Sequence, residues 1–368
     1  MRLYKILALL SLCLLSACST VGYYSQSIQG QLNLLFKREA ISDLTEHPDT
    51  PIKLKQDLER AVLMRQFASK TLALPDNKSY LYYADINRPY VVWNVAAAPE
   101  FSLSPTKWCY PIVGCVSYRG YFKEEDALSE AEELEKKNLD VHVRGVTAYS
   151  TLGWFDDPLL NTMLHWRDRA LAGLIFHELS HQLIYLKNET SFNEAFSSSV
   201  ERLGTIQWLL TFYPDQINDY LRYLNAQADF RALLLDTREQ LDKLYNGNLS
   251  MLKKRQQKAA IIDQMKTNYE KIKTTWPKQI SYDGWFSKPI NNARLTSAMT
   301  YLQKIPAFYQ IFLEQRGNWQ KFYDAVKELE KLSSDERSRL IEEKSKIEIN
   351  YETLISQIEN NLNKLGSN

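Results

Sequence analysis

The sequence predicts an α+β fold, mostly helical, with a small sheet packed on one buried helix and a C-terminal half made of helices. Three observations carry that expectation. Apolar residues recur at helical spacing through Tyr23–Leu74 and again from Pro158 onward. Between these stretches, Tyr90-Val91-Val92-Trp93-Asn94-Val95-Ala96 and Val141-His142-Val143-Arg144-Gly145-Val146 are β-branched and aromatic, as strands are. No internal repeat or low-complexity linker divides the 368 residues, so 18–368 is expected to form one domain.

The elements follow in order. Leu32, Leu35 and Phe36, then Leu58, Val62, Met64 and Phe67, mark helices on either side of the turn His47-Pro48-Asp49-Thr50-Pro51. The strand at Tyr90–Ala96 leads to a turn bounded by Cys109 and Cys115 and to a strand near Cys115 to Phe122. A charged helix, Lys123–Lys137, crosses over to the strand Val141–Val146, and Tyr149–Phe155 reads as a further strand or loop. These N-terminal helices and sheet make up residues 18–157. A second part, 158–212, carries helices over Leu159–Leu186 and Ser191–Phe212. A third, 213–368, carries Asp215–Tyr245, Met251–Thr275, an interruption at Trp285–Leu295, and a final helical pair after Tyr301 that ends at Leu365.

The N-terminus reads as an export signal. Arg2 and Lys5 precede an apolar run from Ile6 to Leu15, too short to stay in a bilayer as a spanning helix. Leu15-Ser16-Ala17-Cys18 then resembles the lipobox of bacterial lipoproteins, which implies loss of residues 1–17 and a lipid on Cys18. A soluble secreted protein cut near Ala17 is the rival reading. Ser19 resembles the sorting pattern for the outer membrane, so the expected location is the cell envelope, on the outer membrane and facing the periplasm. Cys13 leaves with the signal, and Cys109 and Cys115 remain. In an oxidising compartment that pair reads as a disulfide closing a turn, contributing about 2 kcal/mol by loop entropy. A second metal site is the alternative for the pair, though no histidine lies beside it.

Charge excludes one class of partner. The 45 basic and 44 acidic residues balance, and the basic ones are scattered rather than striped, so a nucleic-acid partner is not expected.

The chemistry concentrates in Ile175-Phe176-His177-Glu178-Leu179-Ser180-His181-Gln182-Leu183. On a helix, His177 and His181 share one face, with imidazole nitrogens able to hold one metal about 2.0–2.1 Å away. Glu178 is offset from the ligands and can reach a metal-bound water as general base. A core helix with two satisfied histidines is the rival reading, but two imidazoles and a carboxylate in an apolar helix are costly without a cation. A catalytic zinc site needs a third protein ligand. Phe192-Asn193-Glu194-Ala195-Phe196 and Glu201 lie downstream, with Glu194 and Glu201 seven apart on one helix face. His47 and His142 have no carboxylate at ligand spacing, and His165 lies on the predicted HExxH helix more than three turns before His177.

His177-Glu178-Leu-Ser-His181 followed by Asn193-Glu194-Ala195 resembles the gluzincin arrangement of thermolysin-like peptidases. That resemblance implies one Zn²⁺ per chain held by His177, His181 and Glu194. Such helices usually carry Asp four positions after the ligand Glu. Ser198 stands there instead, which makes Glu201 the candidate partner for a ligand histidine. The strings Trp108–Phe122 and Ala148–Pro158 resemble the bacterial putative aminopeptidase lipoprotein family over most of the mature chain. The resemblance implies a zincin-like sheet whose edge strand pairs with the substrate backbone, assigned to Tyr149, Ser150 and Gly153. It also implies a group stabilising the oxyanion, sought in Tyr301 and, beside it, Asn291, Asn292 and Arg294. The implied activity is hydrolysis of peptide bonds, as an aminopeptidase. The Gly-x-Met-Glu-Asn element of well-known gluzincin aminopeptidases is missing, which leaves an endopeptidase of envelope proteins open. The long helices Asp215–Tyr245 and Met251–Thr275 also fit a non-catalytic, lipid-anchored scaffold. Glu178 separates the two classes, since a structural zinc site needs no base beside its ligand.

Overall fold

The computed structural model describes residues 22–110, 114–302, 304–347 and 349–365. The leader, Cys18 and Pro111 lie outside the described residues. A first helix, α1, spans residues 22–36. It is followed by β1 (Glu39–Ala40), α2 (Ile41–Glu46), α3 (Ile52–Lys70), β2 (Tyr82–Ala84), β3 (Val92–Pro99), β4 (Trp108–Tyr110), β5 (Gly114–Val116), β6 (Arg119–Tyr121), α4 (Glu124–Glu135) and β7 (Leu139–Val146). The central part adds β8 (Leu159–Leu160), α5 (Asn161–Leu164), α6 (Asp168–Leu183) and α7 (Thr190–Phe212). Helices α8 (Ile217–Asn246), α9 (Met251–Lys273), α10 (Asp283–Phe286), α11 (Asn292–Leu302), α12 (Ile305–Glu314), α13 (Trp319–Glu328), α14 (Ser334–Ser345) and α15 (Tyr351–Leu365) complete the chain.

The α+β class is as expected, and the sheet is small and divided. β3 is the centre of a three-stranded sheet in the order β6-β3-β7, antiparallel on both sides, with Val95 opposite Val143 and Arg119. Its partners run parallel to each other, so α4 is the crossover between them, packed by Ala127, Ala131 and Leu134. A second sheet joins β1, β2 and β8, and a hairpin joins β4 to β5. Cys109 and Cys115 face each other across that hairpin and are joined as a disulfide.

Three expectations are corrected. The predicted helix Leu159–Leu186 is broken: Leu159–Leu160 extend to pair with β2, and Arg167 is extended before α6 begins at Asp168. His165 therefore caps α5 and is not on the HExxH helix. Tyr149, Ser150 and Gly153 form a loop rather than an edge strand, because Leu152 and Gly153 both adopt left-handed backbone and Asp157 closes the turn onto Thr151. The final helical pair is instead four helices, α12 to α15, since left-handed Arg316 and Gly317 and the cap Ser333 interrupt the pattern.

Three apolar clusters result among the described residues, the smallest between α4 and the β6-β3-β7 sheet, and two that build the helical part of the molecule. The larger of those two gathers α3, α6, α7 and α12–α15 around Phe176, Phe196, Trp208, Phe308 and Phe322. The smaller lies between α8, α9 and α11, where Phe230 stacks on Tyr282 and Tyr269 on Phe286, both at 4.0 Å.

Candidate metal centre

Helix α6 is buried along its middle and uncharged except for Asp168 and Arg169 in its first turn and Glu178. The apolar surroundings that make it a core helix also make each polar group on it costly unless it is paired. α7 returns antiparallel: its Ser197 reaches His181, its Glu201 reaches His177, and its Gly204 packs on Phe176. Close approach depends on Gly173, where a Cβ would press at 3.0–3.1 Å on Thr205 and Glu201.

The turn between these helices is set by Asn193. Its side-chain amide donates to the Leu186 carbonyl and its Oδ1 accepts from the Leu186 N–H, both at 2.8 Å. That clamp delivers the next residue, Glu194, against both histidines. Glu194 Oε2 lies 3.4 Å from His177 Nε2 and 3.7 Å from His181 Nε2. One donor atom from each of the three residues falls within 4.8 Å of the other two, and all three residues are buried. The histidines' other nitrogens are occupied from outside: His177 Nδ1 lies 3.1 Å from Glu201 Oε2, and His181 Nδ1 lies 3.0 Å from Ser197 Oγ. Outer partners at Nδ1 fix the ring orientation and leave both Nε2 atoms facing Glu194.

A cation at the cluster would answer the charges around it. Glu178, Glu194 and Glu201 surround two imidazoles in a buried space. Burial disfavours an imidazolium at His177, yet hydrogen bonds to Glu194 and Glu201 and the charges of Glu178 and Glu201 outweigh it and hold its pKa well above the ordinary range. Burial likewise pushes Glu194 up, and its hydrogen bonds to the two histidines overcome this and hold it well below the usual carboxylate range. Two imidazole nitrogens and one carboxylate oxygen, all within reach of one ion, are a donor set that fits zinc.

Glu178 belongs to a different surface of α6. Burial first, and then the charges of Glu194 and Glu201, raise its carboxyl above the usual range despite both histidines. Beside it, the loop at residues 75–80 is fastened in place. Buried Arg65 donates to the carbonyls of Pro75, Asn77 and Ser79, and Gln182, one turn beyond Glu178, exchanges hydrogen bonds with Asn77 and Ser79. The loop ends in Tyr80, whose backbone is left-handed and whose buried hydroxyl has no hydrogen-bond partner among the described residues. A bulky residue in that conformation is held there by its surroundings. Tyr80 feels the charge of Glu178, as does buried Asp157, whose carboxyl burial raises to about 7 even though Thr151 donates to it.

The oxyanion candidates fare differently. Asn292 spends its amide on the carbonyls of Pro99, Glu100 and Ser102 and accepts from the Tyr245 hydroxyl. Asn291 holds the Val141 carbonyl and caps α11, and Arg294 donates to the Trp285 carbonyl. Asn291 and Asn292 tie α11 to the sheet and Arg294 ties it to α10, so these side chains are spent on holding the fold. Tyr301 lies on α11, and its side chain is outside the described residues. Sequence reading missed Ser197, Tyr80, Asp157 and Tyr185. The Tyr185 phenol is raised by burial and by the charge of Glu194, which brings it into that carboxylate's field. Ser197 had a signal, since it is three residues after Glu194 and so shares its helix face. The other three sit in irregular connections, where no periodicity marks them.

No curated protein and no solved structure matches the chain. A family model described as "Putative aminopeptidase" matches residues 22–341, which include every described element of the site. The chain belongs to that family.

Proposed function

We propose that the chain is a zinc-dependent peptidase, and that it removes N-terminal residues from peptides in the cell envelope, tethered to the outer membrane through lipidated Cys18. The buried His177–His181–Glu194 cluster with Glu178 beside it is the observation that carries this reading, together with the family. His177, His181 and Glu194 would hold one Zn²⁺. When bound, that ion supplies Lewis acidity toward a peptide carbonyl and makes a water acidic near neutral pH.

The protein's own groups do the rest. Glu201 and Ser197 hold the two imidazoles in their ligating tautomers. Glu178 takes the proton from the attacking water onto its carboxylate and gives it to the leaving amine. Arg65, Gln182 and the 75–80 loop keep the space beside Glu178 fixed, which holds the base in one geometry for both transfers. The loop around Tyr149, Ser150 and Gly153 packs by Gly153 on Gln182 and so borders the same space, without offering a strand edge to substrate.

The test is Glu178→Gln assayed on peptides with free and acetylated N-termini. The variant should retain one zinc per chain and lose hydrolysis. Cleavage restricted to free N-termini supports an aminopeptidase, and cleavage of blocked peptides supports an endopeptidase instead. Wild-type protein that holds zinc and cleaves neither set sinks the hydrolase reading in favour of a scaffold.

A further inference from the structure

Residues 22–36 pose a problem that the proposed chemistry does not touch. A quarter of the chain is charged, yet these fifteen residues contain no Asp, Glu, Lys or Arg although they form a surface helix. One side of α1 is docked. Tyr23 packs on Tyr110 and Tyr121, Gln26 accepts from the Phe122 N–H, Gly30 sits where a Cβ would overlap the Phe122 ring, and Leu34 is buried. The opposite side carries Tyr24, Ile28, Leu32 and Phe36, spaced by four so that they form one stripe, and all four are exposed: Ile28 by 59% and Phe36 by 83%. Single exposed apolar residues are ordinary, but a contiguous stripe on a helix that carries no charge marks an interaction surface.

We propose that this stripe rests in the interface of a phospholipid bilayer and orients the molecule on its membrane. The inference uses the lipid anchor of the proposed function. Four Cα steps separate Cys18 from residue 22, a reach of at most about 14 Å, so a lipid on Cys18 holds the start of α1 at the headgroup layer. A helix kept there presents an apolar face to the acyl boundary and a tyrosine near the headgroups, the arrangement of helices that lie in the membrane plane. The absence of charge on α1 fits a bilayer better than an acidic or basic protein partner. It also predicts that contact depends little on salt or on anionic lipid.

The experiment uses the full lipidated protein in phosphatidylcholine vesicles. With Cys18 acylated and Cys109 bonded to Cys115, an introduced cysteine is the single free thiol. Ile28→Cys, Phe36→Cys and, as a control, Leu252→Cys on α9, 65% exposed, would each carry an environment-sensitive fluorophore. Lipids bearing an acyl-chain quencher should quench the probes at 28 and 36 several-fold more than the probe at 252, equally at low and high salt. Adding Leu32→Glu to the labelled Ile28→Cys chain should abolish that quenching and leave metal content and hydrolysis of a soluble peptide unchanged. Protein in the vesicle fraction with all three probes in water overturns the membrane surface and spares the anchor. Protein absent from the vesicle fraction overturns both. Probes shielded only as protein concentration rises, without lipid quenching, assign the stripe to a second copy of the chain and overturn the proposal.

Discussion

Two antiparallel helix pairs dominate the C-terminal two-thirds of the molecule, and they use charge in opposite ways. α7 carries three charged residues, and Glu194 and Glu201 among them contact the histidines. α8 and α9 each carry nine, spread over exposed faces and joined in pairs such as Lys243–Glu239 and Lys266–Asp263. The first pair is buried on nearly every side, so a charge persists there only where another group answers it. The second buries one stripe and leaves the rest in water, where an ion pair contributes little. The same residue type therefore means different things in the two places: a glutamate in α7 is a statement about chemistry, and a glutamate in α8 is a statement about solubility.

The largest expected effect lies in the first pair. Glu178→Gln should lower peptide hydrolysis by about 10²–10⁴-fold with zinc content intact by elemental analysis, whereas His177→Ala or Glu194→Ala should empty the site. Loss of metal from Glu201→Ala but not from Glu194→Ala would exchange the roles of those two carboxylates. Just past the end of the second pair, Trp276→Ala removes an indole that packs on Tyr269 of α9 and on Tyr282 and donates to Asp229 of α8. Chemical denaturation should show a loss of about 3–5 kcal/mol, and zinc affinity should stay constant. A Trp276→Ala protein that also loses its metal would show that the two pairs are one cooperative unit.

Buried Asp157 tests the first region through pH. Its folded carboxyl, near 7, lies above its unfolded value, so the folded state binds the proton more tightly. Its contribution to stability is complete below about pH 4 and is lost as pH rises through 7, with a ceiling of about 4 kcal/mol. Asp157→Asn should flatten that slope in denaturation curves measured from pH 4 to 8. An unchanged slope would remove Asp157 as its source. Smallest is the effect of the groups behind the ligands. Glu201→Ala should weaken zinc binding by about 10–100-fold in a competition titration with a chelator, and Ser197→Ala should weaken it less, since a hydroxyl holds the ring without adding charge.

What the sequence made legible follows from the same contrast. HExxH and Asn-Glu-Ala could be read because helical periodicity converts spacing into direction, and Glu201 could be found by counting seven from Glu194. Helices α8 and α9 were legible from their single apolar stripe. The break between Leu160 and Asp168 was not, because its cause is pairing with β2, a partner more than seventy residues away. The loop at Tyr149–Gly153 was misread for a related reason. Its aromatic and small residues favour a strand, and the turn onto Asp157 is decided by tertiary burial rather than by local preference. Tyr80 carries no local mark at all; buried Arg65, fifteen residues earlier, builds its loop.

The two hydrogen bonds between Asn193 and Leu186 also constrain how this protein can change over time. Surface connections usually tolerate insertions, but here the connector's length fixes the phase of α7. One added residue between Leu186 and Asn193 would leave two outcomes: the clamp breaks, or the helix turns by about 100° and slides about 1.5 Å, carrying Glu194 away from both imidazoles. Length variants of this short connector should therefore be rarer among functional descendants than substitutions within it, and a library of one-residue insertions scanned across 187–192 should return folded chains without metal.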